Sequence, residues 1–130
     1  MPEVDLLIIG AGPTGLYAAY YAGFRGLSVG VVDSLPELGG QITAMYPEKA
    51  ILDVAGFPSV KGRDLVEGLV AQAATAKPDY VLERTARGLE HRDDEVRTVD
   101  RVMAHVAMGR HPALGGRGGK LAHLVLLELW

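Results

Sequence analysis

The first strong pattern is Leu6-Leu7-Ile8-Ile9, a continuous aliphatic run that stops at a glycine. A run that is apolar on both faces predicts a central strand of a parallel sheet. Beyond Gly10-Ala11-Gly12-Pro13-Thr14-Gly15 the period changes, and Leu16, Ala19, Tyr20 and Gly23 recur at helical spacing. Pro13 suits a first helical turn, because its missing N–H would be unpaired there anyway. Gly26 is a natural left-handed stop. Residues 27–32 read as a second strand, closed by Asp33. The result is a β-α-β unit within about thirty residues, the length such a unit needs.

Residues 34–62 lose this regularity. They contain Pro36, Gly39, Gly40, Pro47, Gly56, Pro58 and Gly62, and read as a long irregular loop. A loop of that length in a compact domain is usually functional. A helix is predicted over 64–76, with Leu65, Leu69 and Ala73 on one face, Asp64 and Glu67 favouring its N-terminus, and Pro78 beyond its end. Tyr80-Val81-Leu82 reads as a short strand. From 83 to 98 the pattern weakens towards exposed hairpins. Residues 109–120 are rich in Gly and Arg, and 121–130 are strongly apolar.

Composition narrows the class. The chain has 130 residues, 48% of them apolar and 22% charged, which suits one globular domain and excludes collagen-like and disordered chains. Without cysteine there is no disulfide scaffold, thiolate metal site or dithiol redox centre, so any electron chemistry needs a bound cofactor. A net charge of −3 argues against a nucleic-acid partner. The N-terminus holds two acids and no base, unlike a signal peptide, and the early apolar run is too short to cross a membrane. A cytoplasmic location is the default expectation. His91, His105, His111 and His123 lack metal-ligand spacing, so no metal site is expected, and no catalytic residue or nucleophile triad is assigned.

The chemistry-bearing motif is Gly10-x-Gly12-x-x-Gly15 between strand and helix. Gly10 permits the tight turn, Gly12 admits a pyrophosphate close to the backbone, and Gly15 lets helix and strand pack closely. Phosphate then meets the free N–H groups and positive dipole end of the helix. Asp33 lies 18 residues beyond Gly15, where an acid accepts hydrogen bonds from ribose hydroxyls. An acid there disfavours a 2′-phosphate, leaving FAD or NAD. Gly39-Gly40-Gln41 follows soon after. Close backbone plus an amide suits a long cofactor that runs past the first loop, and a plain Gly-Gly surface turn is the alternative.

At this point the sequence resembles the N-terminal end of a ferredoxin–NADP reductase of the thioredoxin-reductase-like type. The resemblance is carried by Ile8-Ile9-Gly10-Ala11-Gly12-Pro13-Thr14-Gly15-Leu16, Asp33-Ser34-Leu35-Pro36, Gly39-Gly40-Gln41, Tyr46-Pro47-Glu48-Lys49 and Asp53-Val54-Ala55-Gly56-Phe57-Pro58. It implies an α/β, Rossmann-like FAD/NAD(P)-binding domain. Thr14, Asp33, Gln41 and Tyr46 are then FAD contacts, alongside Gly10, Gly12, Gly15 and Gly40. Ala86 contacts the cofactor through its backbone, at a position where the family more often has a larger aliphatic residue. The implied activity is an FAD-dependent oxidoreductase passing electrons between NADP(H), FAD and ferredoxin, with full-length members expected to be homodimers.

The chain also departs from that family. Members are more than twice as long and carry an NADP domain with a second glycine motif, so the NADP(H) site is not expected within these residues. The resemblance fades after about residue 89. Residues 1–96 hold 8 basic and 14 acidic side chains, a balance of −6, whereas 97–130 hold 5 and 2, a balance of +3. The expectation is therefore a first part of an FAD-binding domain over 1–96, followed by a non-matching tail over 97–130, disordered or frame-shifted. An apolar end over 121–130 would have no layer to pack against, and the sheet would keep an exposed edge. The competing function is a non-enzymatic FAD- or NAD-binding module, or an inactive fragment.

Overall fold

The computed structural model describes residues 4–92, 95–98, 104–107 and 125–126. In chain order the elements are β1 (Leu6–Ile9), α1 (Pro13–Phe24), β2 (Val29–Val32), α2 (Gly40–Met45), β3 (Ala50–Ile51), β4 (Val60–Lys61), α3 (Gly62–Ala74), β5 (Asp79–Val81), β6 (Leu89–Arg92), β7 (Glu95–Thr98), β8 (Ala104–Ala107) and β9 (Val125–Leu126). β5, β2, β1 and β9 form one parallel sheet in that spatial order. β6, β7 and β8 form an antiparallel sheet, and β3 pairs with β4.

The aliphatic runs explain the centre of this arrangement. Leu6, Ile8, Val29 and Val31 share the core with Leu16, Ala19 and Ala22 of α1 and Ala73 of α3. Leu7 and Val32, which alternate to the other face, are buried as well. A strand buried on both faces has no use for polar alternation, and β1 and β2 show none. α1 lies against α3, and Gly23 leaves room for the turn that follows α3, since a Cβ there would run into Ala76. Tyr80 packs at the margin of this core. Its hydroxyl is buried without a hydrogen-bond partner among the described residues, and burial pushes its pKa above the usual 10.

The parallel β-α-β unit agrees with the sequence reading, with local corrections. The second strand begins at Val29 instead of Leu27, because the chain is still tied to the end of α1, where Leu27 N–H donates to the Ala22 carbonyl at 3.1 Å. α3 starts two residues early, at Gly62, because Gly62 and Arg63 N–H donate to the Lys49 and Pro47 carbonyls at 3.0 and 2.8 Å. It ends at Ala74 and not at Ala76, and the next strand covers Asp79–Val81 and not 80–82. Segment 34–62 is less irregular than its glycines and prolines suggest, since it holds α2, β3 and β4. These elements have six, two and two residues, too short for periodicity to reveal.

The hairpin expected before residue 98 is β6–β7. β7 runs across positions 96 and 97, and β8 and β9 lie within 97–130. Val125 and Leu126 pair with Ile8 and Ile9, so the expectation that the apolar end finds no partner does not hold for these two residues, which form the edge strand of the sheet. The Gly- and Arg-rich segment 109–120 and the rest of 121–130 lie outside the described residues.

Candidate functional site

β1 and β2 end side by side, and the loops leaving their carboxyl ends enclose a cleft of about 710 Å³. That volume falls within the range of about 300–1,000 Å³ typical of small-molecule sites. Four stretches line it. Residues 9–15 supply the first glycine loop, 32–35 the end of β2, 40–42 with Tyr46 the α2 region, and 84–86 the chain after β5. All nine residues singled out from the sequence are on this wall: Gly10, Gly12, Thr14, Gly15, Asp33, Gly40, Gln41, Tyr46 and Ala86.

The glycines of the first loop serve different needs. Gly10 takes a φ of +106°, a region open mainly to glycine, and its N–H donates to the Val32 carbonyl at 2.8 Å. Gly15 has no room for a side chain, because a Cβ would overlap the Gly10 carbonyl oxygen. Gly12 is the N-cap of α1 with φ −71° and ψ −178°, an extended conformation any residue adopts. Among the described residues, a Cβ on Gly12 would meet nothing within 4 Å. Neither backbone conformation nor packing among those residues demands glycine at this position.

The helix that starts there is also incomplete. α1 has no side-chain cap and no acid in its first turn. The N–H groups of an uncapped first turn look for acceptors, and the dipole adds about half a positive charge. Thr14 and Gly15 both line the cleft at this end.

Asp33 is buried at the end of β2 and ties three segments together. Its Oδ2 accepts the Ala11 N–H at 2.5 Å and its Oδ1 accepts the Leu35 N–H at 2.8 Å. Its own N–H donates to the Val81 carbonyl at 3.0 Å, and its carbonyl accepts the Arg84 N–H at 3.0 Å. Each carboxylate oxygen retains a lone pair after one such bond.

The second glycine pair packs on the first loop. Gly39 N–H donates to the Ala11 carbonyl at 2.8 Å, and a Cβ on Gly40 would stand 3.0 Å from the Gly12 Cα. The Thr43 hydroxyl donates to the Leu38 carbonyl at 2.8 Å and closes the turn. Tyr46 ends α2 and is held from behind. Lys49 Nζ sits 5.4 Å from the centre of its ring, and Glu48 pairs with Arg63 at 2.8 Å and Lys61 at 3.5 Å. Those pairs and the α3 amides bonded to Pro47 and Lys49 fix the loop on the N-terminus of α3.

Ser34, Leu35, Arg84 and Thr85 also line the cleft and were not singled out by the sequence reading. Ser34 and Leu35 adjoin Asp33, so proximity in sequence could have found them. Arg84 and Thr85 reach the cleft only through the pairing of 83–84 with 33–35, for which no local pattern exists.

Residues 5–108 match the family model described as FAD dependent oxidoreductase. The chain belongs to the FAD dependent oxidoreductase family. Among relatives of this chain, a ferredoxin–NADP reductase of a Nocardioides species is 82% identical over 93 residues, covering 72% of this chain and 28% of that protein. A ferredoxin–NADP reductase of Salinispora tropica is 58% identical over 123 residues, 95% of this chain and 33% of that protein, an alignment that extends past residue 96. The chain thus spans about a third of the length of the curated relatives it matches. Thioredoxin reductase from T. acidophilum superposes with a TM-score of 0.69 at 25% identity, over 82% of this chain and 34% of that one. Among the described residues, no helix is long and apolar enough to cross a membrane.

Proposed function

We propose that residues 1–96 of this chain form the first FAD-binding segment of a flavoprotein oxidoreductase that passes electrons between NADP(H), FAD and ferredoxin. The observation that carries the reading is Gly12. Its missing side chain is unexplained by packing among the described residues and is explained by a pyrophosphate lying against the backbone. The relatives named ferredoxin–NADP reductase support the electron route. Ferredoxin, NADP(H) and a homodimeric assembly come to this chain through those relatives. Residues 97–130 lie outside this first segment in the reading.

In this role the first-turn amides of α1 hold the pyrophosphate, with the helix dipole adding attraction. Asp33 uses its remaining lone pairs for the adenosine ribose hydroxyls while its amide bonds keep the glycine loop in place. Gln41 supplies an amide on the flavin side, and Tyr46 offers a ring for stacking. Ala86 contributes backbone. FAD held there would supply the chemistry of hydride exchange with NADP(H) and single-electron exchange with ferredoxin, while these residues would contribute position and electrostatic environment.

Reconstitution with FAD tests the reading. Purified chain passed over a desalting column should retain flavin absorbance near one equivalent, and Gly12→Val should retain none. A chain that keeps no flavin, or a Gly12→Val variant that binds as well as wild type, overturns it.

A further inference from the structure

The cleft wall carries one carboxylate, Asp33, and one guanidinium, Arg84. Arg84 is placed by the backbone. Its N–H donates to the Asp33 carbonyl at 3.0 Å, and the preceding Glu83 N–H donates to the Leu35 carbonyl at 3.2 Å. Glu83 takes a left-handed φ of +57°. Such a conformation costs a non-glycine residue energy and turns the chain sharply. The Arg84 side chain makes one long contact, Nη1 to the Glu83 carbonyl at 3.4 Å, and no ion pair among the described residues. Arg84 is exposed, and among the described residues most of its five donors have no partner.

The ligand's direction follows from the other residues. Gly12 and Thr14 mark the pyrophosphate, and Asp33 marks the ribose. Arg84 adjoins Asp33 on the chain after β5, and not the glycine loop. A planar base attached to that ribose would come to lie beside a planar cation. Guanidinium planes stack well on aromatic faces, whereas a lysine ammonium offers only a point charge.

We propose that Arg84 recognises the adenine base of the dinucleotide by stacking its guanidinium on the ring, and so favours FAD over flavins that lack adenosine. This rests on the FAD reading above. The test measures binding of FAD, ADP and FMN to wild type, Arg84→Ala, Arg84→Lys and Arg84→Gln by calorimetry at low and high salt. Arg84→Ala should weaken FAD and ADP about fivefold and leave FMN unchanged. Arg84→Gln, which keeps a planar amide, should recover part of the loss, and Arg84→Lys should not. Loss of FAD or ADP binding restored by Arg84→Lys and abolished by salt would mean a phosphate contact and overturn the proposal. So would unchanged ADP affinity in Arg84→Ala. Failure of wild type to bind FAD or ADP would instead overturn the reading on which the proposal rests.

Discussion

The first glycine loop, 10–15, and the second segment, 39–49, face the same cleft but differ in how far the protein satisfies its own groups. In the second segment Gln41 faces the cleft, but most of its neighbours have internal partners. Gly39 bonds to Ala11, Thr43 to Leu38, Glu48 to Arg63 and Lys61, and Lys49 covers Tyr46. The first loop is built to the same tightness at Gly10 and Gly15, but at Gly12 and the first turn of α1 it leaves space and donors unmatched. The difference separates scaffold from receptor. A position that satisfies itself is explained by folding, and one that does not points to something the chain binds.

Substitution can break this contrast. Gly15→Val forces a side chain into the Gly10 carbonyl, so the unfolding free energy in urea should fall by about 3 kcal/mol and flavin binding should fail with it. Gly12→Val should behave differently. Valine is a poorer N-cap than glycine, so stability should fall by about 1 kcal/mol, well short of the Gly15 variant. The FAD dissociation constant should rise at least about a hundredfold, or about 2.7 kcal/mol. Equal damage to stability in both variants would erase the distinction between the two glycines. In the second segment, Gly39→Ala meets a positive φ and a clash with Thr43 and Val66, and thermal unfolding should report a loss of about 2 kcal/mol. The smallest effect belongs to Glu48→Gln. Its pairs with Arg63 and Lys61 are more than half exposed, so the change should be at most about 0.5 kcal/mol and should vanish in high salt.

The same contrast explains what was legible in the sequence. Leu6-Leu7-Ile8-Ile9 and the glycine spacing report continuous burial and close approach, both written locally, and so the parallel unit, the glycines and Asp33 could be named from residue order, whereas Thr14, Tyr46 and Ala86 came from the family resemblance. α2 was not legible, since its six residues start at a left-handed glycine pair and bury no side chain fully. The tether of 46–49 to α3 was not legible either, because it joins residues far apart in sequence through backbone amides. Arg84 is the sharpest case. Its own residue type carries no local signal, and the pairing of β5 with β2 and the amide bonds of 83–84 to 33–35 bring it there. Val125-Leu126 is another, since an apolar stretch does not announce which strand it will join.

The missing cap of α1 has a consequence for the lifetime of the fold itself. A dinucleotide seated on the first turn would complete the helix as well as occupy the cleft, so ligand supply and folding become linked by mass action. At a hundredfold excess over its dissociation constant such a ligand adds about 2.7 kcal/mol to the native state. The amides of Thr14 and Gly15 would then change from among the fastest-exchanging in α1 to protected ones. In a cell short of flavin, the same chain would spend more time open to proteases, and its abundance would follow the cofactor pool.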